Sequence, residues 1–162
     1  MSMEKMIKAL EIAFVEMDVE NLEKQKAWAM ARKDALRAFK TSEEYQSLRR
    51  NQYALYDRMF AICGGKTWFR IINDNNLEGI CAFVEKNCKA IADKRNATIV
   101  SKLVKKGVSD ITELKFSRSS DGFNGYFVFD GITVEIRTII AGGYNVQCLH
   151  QRTLVHVAGK KI

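Results

Sequence analysis

Residues 77–107 read LEGICAFVEKNCKAIADKRNATIVSKLVKKG, and the phasing of their apolar positions decides the fold read from this chain. On a helical wheel at about 100° per residue, Leu77, Ile80, Val84, Cys88 and Ile91 share one face. Past Arg95 that face would carry Arg95, Lys102 and Lys106, while Ile99, Val100 and Leu103 point elsewhere. A straight helix cannot bury both stripes, so the sequence predicts a break at Arg95-Asn96. Asn96 then caps a second helix over 97–106, and Gly107 closes it. After Gly107 the period changes to two. Leu114 and Phe116 alternate with Glu113, Lys115 and Ser117, residues 126–129 are a dense run of β-formers, and Ile132, Val134 and Ile136 alternate with Thr133, Glu135 and Arg137. Asp121-Gly122, Asp130-Gly131 and Gly142-Gly143 supply the positive φ of tight turns. The expectation is a four-stranded antiparallel β-meander whose fourth strand, 144–157, carries a bulge near 149–151.

Upstream, residues 3–40 contain neither glycine nor proline and are rich in helix formers. Apolar residues recur at Met3, Ile7, Leu10, Phe14 and Met17, then at Trp28, Ala31, Ala35 and Phe39, with a polar gap at Asn21, Lys24 and Gln25. The gap favours a break or bend near 18–21, with Asp18 as cap, over one helix of roughly 55 Å. Thr41 or Ser42 can cap the next helix, which has Glu43 and Glu44 in its first turn. Its stripe of Tyr45, Leu48, Gln52, Leu55, Met59 and Ile62 would lie against the first helix as an α-hairpin that ends at Gly64-Gly65. Residues 66–73 (KTWFRIIN) read as a short β-like segment, and the run Asn73-Asp74-Asn75-Asn76 as a turn. The class expected is α+β: an N-terminal helical hairpin or bundle, further helices, then the C-terminal meander. Residues 1–65 form an interaction arm, and 66–162 hold the remaining helices and the sheet.

Composition narrows the function classes. At 162 residues and 47% apolar, the chain can bury a core. No apolar run approaches the roughly 20 residues a membrane helix needs. Charges at Glu4, Lys5, Lys8 and Glu11 interrupt the N-terminus, unlike a secretory signal, so a cytoplasmic location is expected. Cys63, Cys81, Cys88 and Cys148 sit among apolar residues as reduced thiols, and without a C-x₂₋₄-C pair no zinc is expected. The formal charge is +7. Much of the excess lies between Lys86 and Lys106, where Lys86, Lys89, Lys94, Arg95, Lys102, Lys105 and Lys106 face only Asp93.

Each catalytic pattern has a simpler structural reading. Cys63-Gly64-Gly65-Lys66-Thr67 resembles a phosphate loop only in its last residues, because the motif needs glycine at Phe60 and a strand before it; a helix C-cap accounts for it. Asp121 or Asp130 with Glu135 and Arg137 outlines a metal-dependent nuclease hairpin, but Arg137 stands where a lysine is usual and keeps its proton. The aspartates also occupy Asp-Gly turn positions. His150 and His156 lie in no acid–base signature. No catalytic, cofactor or metal site is expected.

The basic helix remains. Arg95, Lys102, Lys105 and Lys106 fall in one arc, and Tyr126, Arg137 and Arg152 on the sheet could stack on or hydrogen-bond exposed bases. The expected function is a non-enzymatic protein that binds nucleic acid or a nucleoprotein complex, with residues 1–65 available for a protein partner or self-association. The alternatives are a protein–protein adaptor or inhibitor, such as an accessory protein of a mobile element that blocks a host enzyme, and a metal-dependent nuclease or hydrolase.

Overall fold

The computed structural model describes residues 4–107 with their side chains, and the four-stranded meander expected after Gly107 lies outside the described residues. Residues 4–107 are 89% helical and contain no strand. Five helices follow in order: α1 (Met3–Lys40), α2 (Glu43–Leu48), α3 (Gln52–Cys63), α4 (Lys66–Asp74) and α5 (Leu77–Lys105). Over residues 4–107 the α+β class is therefore corrected, since every regular element there is a helix. None of these helices is long and apolar enough to cross a membrane.

The β-like segment is the clearest correction. Trp68, Phe69 and Ile72 are buried while Lys66, Thr67 and Arg70 are exposed. A strand would put residues 68, 70 and 72 on one face and so bury Arg70 with the apolar pair. Helical spacing buries three apolar side chains and leaves the cation in water. The glycines set the joint. Gly64 takes the left-handed conformation at φ 85°, and the Gly65 N–H donates to the Phe60 carbonyl at 2.8 Å, which ends α3. The Gly65 carbonyl then accepts from the Phe69 N–H at 2.9 Å and starts α4. Helix ends and glycine conformation thus account for the Gly64-Gly65-Lys66-Thr67 run, with no strand before it.

Neither helix break occurs. α1 is continuous because two residues of its polar gap are buried: Asn21 is 5% exposed and Gln25 1%, in the same 3–4 series as Met6, Leu10, Phe14 and Met17, while Lys24 stays exposed. Ala31 and Ala35, expected in the stripe, are exposed, while Phe39 is buried as expected and Ala29 and Leu36 join it on the buried face. α5 is continuous for the same reason. Ile80 and Val84, and then Arg95, Ile99 and Leu103, are buried on steps of four; the 11 residues from Val84 to Arg95 make about three turns, so Arg95 joins the stripe rather than ending it. The helix expected over 42–62 is two helices, because Asn51 caps a new one by accepting from the Ala54 N–H at 3.2 Å. Ser42 caps α2 in the same way, accepting from the Tyr45 N–H at 3.2 Å.

The chain divides into two compact units, Met1–Asn21 with Asn87–Ile162, and Leu22–Lys86, a different cut from residue 65. In the described part of the first unit, α1 and α5 run antiparallel: residues 14 and 18 meet Arg95, and Asn21 meets Cys88. In the second unit, Trp68 stands edge-on to Trp28 at 5.0 Å and to Phe83 at 5.7 Å. Phe69 stands edge-on to Phe60 at 5.2 Å and to Tyr56 at 6.0 Å. Lys33 Nζ donates to the Ile72 and Asn75 carbonyls at 2.8 and 3.0 Å and closes the C-terminus of α4. Lys26 pairs with Glu85 at 2.6 Å, and this hydrogen bond raises the lysine's pKa. Cys63 is fully buried, and desolvation raises its thiol pKa against the lowering pull of Lys40, Arg32 and Lys33. It is an inert core thiol.

Candidate nucleic-acid interface

The last three turns of α5 are held by Ile99, Val100 and Leu103, all 1% exposed or less. This anchoring turns the opposite side outward. Lys94, Thr98, Ser101 and Lys105 follow a 4-3-4 spacing and are all exposed, so they form one row along the helix. Lys106 is exposed beside them, and Lys102 is half-buried at the margin. Gly107, at φ 77°, ends the helix by donating to the Val104 carbonyl at 3.0 Å.

Pairing removes part of the charge that the sequence places here. Asp93 takes Lys89 at 3.0 Å. Arg95 leaves the candidate set altogether. Its side chain is 2% exposed and forks onto both oxygens of Asp18, Nη1 to Oδ1 at 2.6 Å and Nη2 to Oδ2 at 2.9 Å. Its Nε donates to Asn96 Oδ1 at 3.1 Å, and the guanidinium lies over the Phe14 ring, 4.3 Å from its centroid. A cation satisfied in this way is an internal tie between α1 and α5, not a phosphate ligand. Lys94, Lys102, Lys105 and Lys106 make no ion pair with another described residue.

The structure thus brings together three of the expected contacts, Lys102, Lys105 and Lys106, corrects Arg95, and adds Lys94. Tyr126, Arg137 and Arg152 lie outside the described residues, as do Asp121, Asp130, Glu135, His150 and His156. Among the described residues no group of three His, Cys, Asp or Glu side chains could hold a metal ion. The sequence signals the positions of the Asp18–Arg95 tie but not their pairing. Asp18, Asn21 and Gln25 stand on the α1 stripe, and Arg95 stands four residues after Ile91, where a buried position falls. Compared with known proteins, the chain matches no family model, no curated protein and no solved structure.

Proposed function

We propose that this protein is a non-enzymatic binder of nucleic acid or of a nucleoprotein complex, and that the last turns of α5 make the phosphate contact. The carrying observation is that four lysines remain at the C-terminal end of α5 and just beyond it after Asp93 and Asp18 are taken, with Thr98 and Ser101 as further polar groups in the Lys94–Lys105 row. Such a row neutralises phosphates without reading sequence. The test is fluorescence anisotropy on labelled oligonucleotides over a range of salt. Wild-type affinity should fall steeply as salt rises. Replacing Lys102, Lys105 and Lys106 with Glu should weaken all sequences alike and flatten the logarithmic salt slope by about 3. Binding that ignores both salt and the charge reversal would end this reading.

The adaptor reading has one observation in its favour. Ile12, Val15 and Val19 are 74%, 50% and 54% exposed and share a face of α1. A stoichiometric complex with a protein, lost on Val15→Glu, together with no affinity for bare nucleic acid, would replace the first reading.

A further inference from the structure

A second surface, on α3 and wholly inside the Leu22–Lys86 unit, has a different chemistry from α5. Gln52, Tyr53, Tyr56, Asp57 and Phe60 line an open hollow of about 460 Å³, within the range of ordinary ligand clefts. Tyr53 is 85% exposed and Tyr56 40%, so Tyr53 in particular contributes little to the core. The floor of the hollow is rigid: Phe69, 7% exposed, holds Tyr56 and Phe60 edge-on, and Tyr56 and Phe60 lie 6.0 Å apart. Polar groups stand among the rings. Asp57 makes no ion pair with another described residue, and Gln52 carries both amide donors and an acceptor. Arg49 and Arg50 lie in the α2–α3 connection, four and three residues before Tyr53; both are exposed and make no ion pair with another described residue.

Flat aromatic faces, an acceptor beside them and two arginines in the chain just before α3 are complementary to a nucleotide of a single strand. The base stacks on the tyrosines, its exposed edge meets Asp57 and Gln52, and the phosphate meets the arginines. We propose that the α3 ridge is a binding site for an unpaired nucleobase of single-stranded DNA or RNA, with Tyr53 and Tyr56 as the stacking platform. The Asp57 carboxylate accepts from exocyclic amino groups, so the site selects cytosine, adenine or guanine over thymine or uracil. A duplex hides its base faces and gains nothing from the ridge, which separates this site from the lysine row on α5.

The full chain is titrated by anisotropy with labelled oligo(dC), oligo(dT), oligo(rC) and a blunt-ended duplex. Expected are tighter binding of oligo(dC) than of oligo(dT), and loss of about tenfold in oligo(dC) affinity for Tyr53→Ala, with duplex affinity unchanged. Asp57→Asn should narrow the oligo(dC) preference. Because Tyr53 is solvent-exposed, the variant should keep the wild-type circular dichroism spectrum, so the loss reports on binding and not on folding. Wild-type oligo(dC) affinity in Tyr53→Ala would overturn the proposal, as would an equal loss on duplex. So would a ridge that binds a Lys- or Arg-rich peptide and no oligonucleotide. The comparison of oligo(dC) with oligo(rC) shows which nucleic acid the site prefers. The α5 reading stands or falls separately: an inert charge reversal at Lys102, Lys105 and Lys106 with a damaging Tyr53→Ala removes that reading and keeps this one.

Discussion

Asp18→Ala is expected to destabilise the unit built from α1 and the second half of α5 by about 3 kcal/mol, the low end of the cost of breaking a buried pair. The reason lies in what is left behind. The Arg95 side chain is 2% exposed, so removing Asp18 takes the carboxylate away from a largely desolvated guanidinium over the Phe14 ring. The low end applies because Asp18 itself is 28% exposed and water can reach part of the vacated space. Replacing both partners, as Asp18→Leu with Arg95→Met, should cost far less than Asp18→Ala alone, because no charge is then left buried. Urea denaturation followed by far-UV circular dichroism measures both. An Asp18→Ala midpoint equal to wild type would mean that the fork does not hold the helices. A double variant as unstable as the single one would mean that the guanidinium is needed for more than pairing with Asp18.

Trp68→Ala should cost about 3–5 kcal/mol in the other unit. Trp68 is 4% exposed and stands edge-on between Trp28 and Phe83, so truncation loses its own burial, opens a cavity and removes two ring contacts. Both tryptophans, Trp28 and Trp68, belong to Leu22–Lys86, so tryptophan fluorescence follows that unit alone while circular dichroism follows every helix. In Trp68→Ala the remaining Trp28 signal should shift to lower urea. In Asp18→Ala the circular dichroism midpoint should shift further than the fluorescence midpoint if the units unfold independently, and the two should coincide if they unfold together. An unchanged Trp28 transition in Trp68→Ala would show that the ring cluster does not stabilise this unit.

Helix ends were the most legible part of the sequence. Ser42, Gly64 and Gly107 mark boundaries because a cap or a left-handed turn depends on one residue and its immediate neighbours, whatever packs around them. The lysines on the last turn of α5 were legible for a similar reason, since surface charge needs no partner to be recognised. Helix continuity was not legible. Polar residues on a stripe end a helix when they face water and continue it when another element satisfies them, and nothing near Asp18 in the sequence points to Arg95, 77 residues away. The KTWFRIIN segment failed similarly: its composition suits a strand, and only the site's packing shows that Trp68, Phe69 and Ile72 face inward together.

By itself, therefore, the sequence determined a helical N-terminal two-thirds with local caps and a basic stretch centred on α5, because these depend on propensity, single-residue conformations and summed charge. Tertiary structure decided that α1 and α5 run unbroken, that Arg95 is an internal tie and not a ligand, and that Tyr53 and Tyr56 stand outside the core. Each of these depends on which distant side chain supplies the missing hydrogen bond, charge or apolar contact, a pairing that no local window of sequence contains.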